Sequence, residues 1–269
     1  MAQITERPHF FQSLNIMSCN LFNHRDPRPQ QDELDDAFGH ALMDYYGGLA
    51  KHCFIERDDG FLAAENLNHY FGEPSPIELS AKVQGRVLDV GCGAGRHLLH
   101  YRSQCDELLG IDRSPLAIEV CKLRGLSNVQ TLSLEDISTL HPATFDFVLL
   151  LGDTFGILGG CESARRVLSN LAKITTAGAR IITTTRDPYR TLDESDLSYQ
   201  KWNRERDRLS GQERIRIRYR DLIDPWMDFL LVSVQEMGSI LEGTNWIIED
   251  TAFEGEQSRY IAVIRKQKQ

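Results

Sequence analysis

Between residues 85 and 187, short apolar runs rich in β-branched residues alternate with stretches of helical character, and this alternation constrains the fold more than any other feature. The runs are VLDVG at 87–91, ELLGID at 107–112, VQTLSL at 129–134, FDFVLLL at 145–151 and ARIITTT at 179–185, with helical spacing at 95–104, 115–124 and 162–174. Parallel strands need crossover connections, and strands covered on both faces become almost continuously apolar. Two further apolar runs, at 247–250 and 260–266, are joined by a short connection containing Gly255, which favours an antiparallel hairpin. The pattern predicts an α/β fold, a doubly wound, mostly parallel seven-stranded sheet.

The flanking segments read differently. Residues 1–31 have no clear period and close on Asp26-Pro27-Arg28-Pro29, which suggests an arm. Asp32, Glu33, Asp35 and Asp36 then precede Phe38, Leu42, Tyr45, Tyr46 and Leu49 at the spacing of an amphipathic helix that Gly47-Gly48 ends. Residues 61–71 are expected to be helical as well, before Gly72, Pro74 and Pro76 break the chain. We therefore expect residues 1–80 to form an arm and a helical cap or lid, and residues 81–269 the main domain, with an inserted antiparallel element at about 188–233. In that insertion RIRIRYR at 214–220 alternates strictly, placing Arg214, Arg216, Arg218 and Arg220 on one face of a strand and Ile215, Ile217 and Tyr219 on the other.

Composition narrows the class of protein. The chain has 269 residues, 41% hydrophobic and 26% charged, which fits a globular protein, and its net charge of −9 argues against general nucleic-acid binding. No long uncharged apolar stretch is present, and MAQITERPHFF places charges and a proline where a signal peptide would be apolar. A cytoplasmic protein with no membrane contact is the expectation. Its six cysteines are scattered without a C-x-x-C pair, so neither zinc nor a disulfide framework is indicated.

The most informative stretch is Val87-Leu88-Asp89-Val90-Gly91-Cys92-Gly93-Ala94-Gly95, a buried strand entering a glycine turn and then a helix. The dinucleotide fingerprint G-x-G-x-x-G is broken, because Arg96 stands at its sixth position; the form present is G-x-G-x-G with Asp89 two residues before it. Asp112 ends the next strand, where a carboxylate can accept both hydroxyls of a ribose diol, and Glu135-Asp136 follows the third. All three sites fall at carboxyl ends of successive parallel strands, the edge where open α/β sheets bind ligands.

Together these residues resemble the class I S-adenosylmethionine-dependent methyltransferases, over roughly residues 81–187 and again in the terminal strand pair. The resemblance implies S-adenosyl-L-methionine as cofactor, with Asp89, Gly91, Gly93 and Gly95 along its methionine moiety, Asp112 on the ribose and Asp136 on the adenine amine. Cys92, Arg113, Glu135 and Gly152, which lie in or beside these motifs, and Tyr46 of the amino-terminal segment complete the expected contacts.

Methyl transfer from a sulfonium is an in-line displacement, in which positioning supplies much of the acceleration and a base is needed only if the acceptor must lose a proton. Asp153 and Asp187 follow the fourth and fifth strands and are the candidate catalytic acids, as a base or to orient the acceptor. Two carboxylates are too few to indicate a metal site, and none is expected. Leu151-Gly152-Asp153-Thr154-Phe155 lacks the Asn/Asp-Pro-Pro-Tyr motif seen in methyltransferases of adenine, cytosine or glutamine amino groups. Residues 201–221 carry eight basic against four acidic side chains, a balance that either serves an anionic partner or is neutralised by nearby acids. The reading is a methyltransferase of a small molecule, with an anionic acceptor the use that the arginine strand suggests. Its rivals are an RNA or protein methyltransferase using that strand, and a non-catalytic S-adenosylmethionine-binding sensor or partner protein.

Overall fold

The computed structural model describes residues 5–6 and 36–267, which form two β-sheets. The amino-terminal part supplies β1 (Thr5–Glu6), α1 (Ala37–Tyr46), β2 (His52–Arg57) and β3 (Leu62–Asn66). The alternating part follows as β4 (Arg86–Val90), α2 (Arg96–Tyr101), β5 (Glu107–Asp112), α3 (Pro115–Leu123), β6 (Val129–Thr131), β7 (Phe145–Leu150), α4 (Cys161–Ile174) and β8 (Thr175–Arg186). The chain then continues through α5 (Glu194–Arg204), β9 (Gln212–Tyr219), β10 (Leu222–Ile223), β11 (Met227–Leu230), α6 (Val234–Leu241), β12 (Trp246–Phe253) and β13 (Arg259–Lys266).

The larger sheet has seven strands in the order β12-β13-β8-β7-β4-β5-β6. Its β4 to β8 are parallel, while β13 runs antiparallel to both β8 and β12, as the sequence pattern predicts. The apolar run Phe147–Leu150 of β7 has a physical reason in the packing. Val148 and Leu150 join Leu168, Leu171, Met237 and Ile240 on the face covered by α4 and α6, while Leu149 joins Val87, Tyr101, Ile182 and Ile261 on the other. With apolar layers on both sides, Phe147–Leu150 leave no place for a polar residue, and the one acid of the strand, Asp146, sits near its start, where it meets Arg86 and Thr176.

In the amino-terminal segment, α1 forms where its periodicity puts it. Asp36 caps it, its Oδ1 accepting from the Gly39 amide at 2.8 Å, and Ala37, Ala41 and Leu42 pack against Ala117 and Val120 of α3. Asp32, Glu33 and Asp35, and the arm apart from Thr5–Glu6, lie outside the described residues.

The expected helix at 61–71 is replaced by β3 and a short 3-10 turn at Leu67–Tyr70. Leu62, Ala63, Ala64 and Glu65 favour helix locally, but β3 is claimed by neighbours on both sides. It pairs with β1 and with β2, and β2 pairs in turn with β9, Phe54 opposite Arg218 and Arg57 opposite Ile215. The amino-terminal hairpin and the insertion thus share one smaller sheet, with β10 and β11 antiparallel on β9.

The arginine face of β9 has partners within the protein. Arg216 and Arg218 both reach Glu56, at 2.7 and 3.3 Å, Arg220 reaches Asp44 at 2.6 Å, and the Arg216 guanidinium also lies over the Trp226 ring. Those three side chains thus meet two carboxylates, within the small sheet and α1.

Candidate active site

A cavity of about 1680 Å³ runs along the carboxyl edge of the parallel strands, roofed by the smaller sheet. Its floor begins at the glycine loop, where the Gly91 and Cys92 amides donate to the Ile111 carbonyl at 2.9 and 3.0 Å and tie the loop to β5. Gly93 has φ +54, and its amide donates to Asp112 Oδ2 at 2.9 Å, a turn that a side chain would strain. Gly95 (φ +78) faces away from the cavity, where a Cβ would run into Leu126.

Asp112 is 8% exposed and lines the cavity. Its Oδ2 accepts from Gly93 and its Oδ1 from the Ser114 amide at 2.9 Å, so each oxygen keeps acceptor capacity for a ligand. Burial pushes its pKa above the usual carboxylate range although these two bonds oppose the shift. Ser114 caps α3 and donates to Asp36 Oδ2 at 2.5 Å, which fastens α1 beside this acid.

The other expected residues divide. Gly91, Cys92, Gly93, Asp112, Arg113, Glu135, Gly152 and Asp153 line the cavity together. Tyr46, Asp89, Gly95, Asp136 and Asp187 do not. Both acids of the Glu135-Asp136 pair are exposed, and the cavity is lined by Glu135 and not by Asp136. Tyr46 is 46% exposed and donates to the Leu123 carbonyl at 3.1 Å; the tyrosine over the glycine loop is Tyr70, edge-on to Phe38. Asp187 spends its carboxylate on its own turn, accepting from the Tyr189 amide at 2.9 Å.

Asp89 lies beneath the loop, 1% exposed, and its Oδ2 has no partner among the described residues. Burial raises its pKa to about 6, although His97 and Arg96 pull the other way. A raised folded-state value favours folding below the ordinary pKa and loses that advantage as pH rises through 6. We expect Asp89→Asn to stabilise the protein at pH 7.5 by about 2–3 kcal/mol, from a difference of about two units at 1.36 kcal/mol each, and to give almost no gain near pH 4. Urea unfolding at the two pH values measures it, and equal effects at both would remove the buried charge as the cause.

An ion-pair network that the spacing did not reveal closes the middle of the cavity. Glu78, fully buried on the segment before β4, receives Arg96, the Arg259 Nη2 at 3.0 Å, and the Ser75 amide and hydroxyl at 2.8 and 2.9 Å. Burial alone would raise its pKa, but His97, Arg96 and Arg259 hold it far below the usual range. Asp153, in the left-handed region at φ +64, accepts from Arg186 Nε at 2.6 Å and Arg259 Nε at 3.2 Å. Those cations outweigh its burial and keep its pKa low, so Asp153 is a poor proton acceptor and a firm anchor. Glu78 sits in a short stretch without periodicity, and Arg259 and Arg186 read only as strand ends, so the sequence offered no signal for either.

Cys92 and Cys121 lie together beneath the loop, each other's neighbourhood and burial raising the Cys92 thiol. Among the described residues no group of three or more His, Cys, Asp or Glu is placed to hold a metal, and no helix is long and apolar enough to cross a membrane.

Comparison with known proteins agrees with this geometry. Residues 87–178 match the family model described as a methyltransferase domain. A 2-heptyl-1-hydroxyquinolin-4(1H)-one methyltransferase of Mycobacteroides abscessus is 39% identical over 75 residues, 25% of this chain and 33% of the relative; the chain thus matches about a third of that curated relative's length. A crystal structure of a SAM-dependent methyltransferase from Bacteroides fragilis in complex with S-adenosyl-L-homocysteine superposes with a TM-score of 0.73 at 24% identity, covering 87% of this chain and 95% of that one. A SAM-dependent methyltransferase from Methanosarcina mazei gives 0.57 at 15% identity, over 73% and 100%. The seven-stranded order, the glycine loop held by an acid at the end of β5 and the methyltransferase domain matched at 87–178 are what this chain shares with the class I S-adenosylmethionine-dependent methyltransferases.

Proposed function

We propose that the protein transfers the methyl group of S-adenosylmethionine to a small-molecule acceptor with an apolar body. One observation carries the reading: a single cavity is lined both by the ends of β4 to β6 and by Ile55, Ile215, Ile217, Met227 and Phe229 of the smaller sheet, an apolar group with Glu65 and Asp228 of that sheet also on the wall. At about 1680 Å³ it exceeds the roughly 300–1,000 Å³ of sites for one small ligand, and so has room for cofactor and acceptor together.

The residues present fit the cofactor. Asp112 offers two oxygens to a diol, Glu135 an acceptor at the far end, and Gly91 and Gly93 a backbone that no side chain of their own covers. When bound, S-adenosylmethionine supplies an activated methyl group on sulfur. The chain's own part is to hold that cofactor against the acceptor, to exclude water with Tyr70 and the smaller sheet, and to fix the turn at Gly152-Asp153 through the paired arginines. Positioning of this kind is the main source of rate in a direct displacement.

The arginine face of β9 does not support an anionic acceptor or an RNA, since Arg214, Arg216, Arg218 and Arg220 do not line the cavity while Ile215 and Ile217 do. An apolar acceptor also accords with the curated relative, whose substrate carries a ring system and an alkyl chain.

Labelled S-adenosylmethionine with a panel of hydroxyquinolones, phenols and aryl amines tests the proposal, with label expected in the organic extract. Ile217→Glu should lower transfer more than tenfold, because a charge would be desolvated among those apolar side chains, and leave S-adenosylhomocysteine affinity within about twofold. Transfer that survives the substitution sinks the assignment of that apolar group, and tight cofactor binding with no labelled product from the panel favours the sensor.

A further inference from the structure

We infer that Arg96, set in place by the buried Glu78, binds the carboxylate of the cofactor's methionine tail. This rests on the cofactor reading above and goes beyond it by assigning a residue that the glycine motif does not specify.

Unequal engagement of the guanidiniums is the first observation. Arg96 and Arg259 both meet Glu78, Arg186 and Arg259 both meet Asp153, Glu254 lies 4.0 Å from Arg259 as a half-buried outer neighbour, and buried Asp89 also feels the Arg96 charge. Arg259 is fully engaged, with Nε on Asp153, Nη1 on Ser75 and Nη2 on Glu78. Arg96 is not. Among the described residues its one hydrogen-bond partner is Glu78, through Nη2, and the remaining N–H groups belong to a side chain that lines the cavity. A guanidinium with an unused edge suits a carboxylate, which can take two parallel N–H bonds.

Position is the second. Along the sheet edge Glu135 follows β6, Asp112 ends β5, Gly91–Gly93 follow β4, and Gly152-Asp153 follow β7. A cofactor with its adenine over β6 and its ribose over β5 brings its amino-acid end between β4 and β7. Arg96 stands there: a Cβ on Gly152 would lie 3.4 Å from its Nη2. Glycine at 152 leaves that approach open.

Glu78 acts through Arg96 and is a positioning residue. It is 0% exposed, touches both Arg96 and Arg259, and links the glycine-loop helix to β13. Without its charge, Arg96 would lose the bond that aims it into the cavity.

Calorimetry with three ligands tests the assignment. S-adenosylhomocysteine carries the whole tail; its decarboxylated form keeps the ammonium group and lacks the carboxylate; 5′-deoxy-5′-methylthioadenosine lacks the tail altogether. The wild-type protein should prefer S-adenosylhomocysteine over the decarboxylated form by at least ~10-fold, the scale of one charge-assisted hydrogen bond. Arg96→Gln should abolish that preference, Arg96→Lys restore part of it, and neither should move the affinity for methylthioadenosine beyond about twofold. Glu78→Gln should shrink the same preference while far-UV circular dichroism stays unchanged; if that variant does not fold, the Arg96 pair carries the test. A preference that survives Arg96→Gln overturns the inference, as does an equal loss for all three ligands. A wild-type protein that binds none of them overturns the cofactor reading itself, so the two failures are distinguishable.

Discussion

Asp112→Ala should lower the affinity for S-adenosylhomocysteine by about 100-fold or more while the protein remains folded. Two hydrogen bonds from a ribose diol to a carboxylate contribute about 1.5–3 kcal/mol each, and even the lower figure twice over amounts to more than two factors of ten. The substitution also removes the acceptor of the Gly93 and Ser114 amides, so the glycine loop loses the bond that fixes its turn. Asp112→Asn separates the two effects. It keeps an oxygen for one amide but loses the charge, and should fall between wild type and Ala. Because burial raises the pKa of Asp112, wild-type binding should also weaken on acidification, as protonation converts an acceptor into a donor. Isothermal titration of the folded variant decides the point: unchanged affinity would falsify the ribose assignment.

How much of this was legible in the sequence follows from the range of the forces involved. β5 was read to the residue at Glu107–Asp112, because it is written in a local apolar run and bounded by turns. The turn at Gly91–Gly93 was legible for the same reason, since left-handed backbone selects glycine locally. β3 was not, because its partners are a strand just before it and, through β2, a strand more than 140 residues away. No window of sequence contains that pairing, and the local preference of Leu62, Ala63 and Ala64 points the other way.

The site shows the same division. Residues on the strand ends, such as Asp112 and Asp153, fell into the cavity because topology alone delivers them to that edge. Asp187 occupies the same kind of position but does not line the cavity, because a following proline turns the chain and its carboxylate caps that turn. Tyr70 packs on Phe38 of α1 beside the cavity, whereas Tyr46, the last residue of that helix, stays exposed. Glu78 was invisible because a buried glutamate has no signature until its arginines, 18 and 181 residues further along the chain, are brought to it.

The buried network gives the second large expectation. Asp153→Ala should destabilise the fold by about 3 kcal/mol, at the lower end for breaking a buried ion pair since these side chains are 14–17% exposed. Arg259 would keep Glu78, but Arg186 would lose its 2.6 Å partner, and alanine is less at ease than aspartate at φ +64. In a chain of this size the melting temperature should fall by roughly 6–12 °C. The folded-state pKa of Asp153 is depressed, so its contribution is present above the ordinary carboxylate value and is lost as pH falls through the lower folded one. The difference between wild type and variant should therefore be full at pH 7 and shrink below about pH 4. Turnover should fall with it, since the turn carrying Gly152 is held by this residue, whereas the pH–rate profile between pH 5 and 8 should lack a limb from Asp153, which is ionised throughout. A variant that melts with wild type and loses a kinetic pKa near 7 would reverse the assignment, making Asp153 a proton acceptor and its arginines incidental.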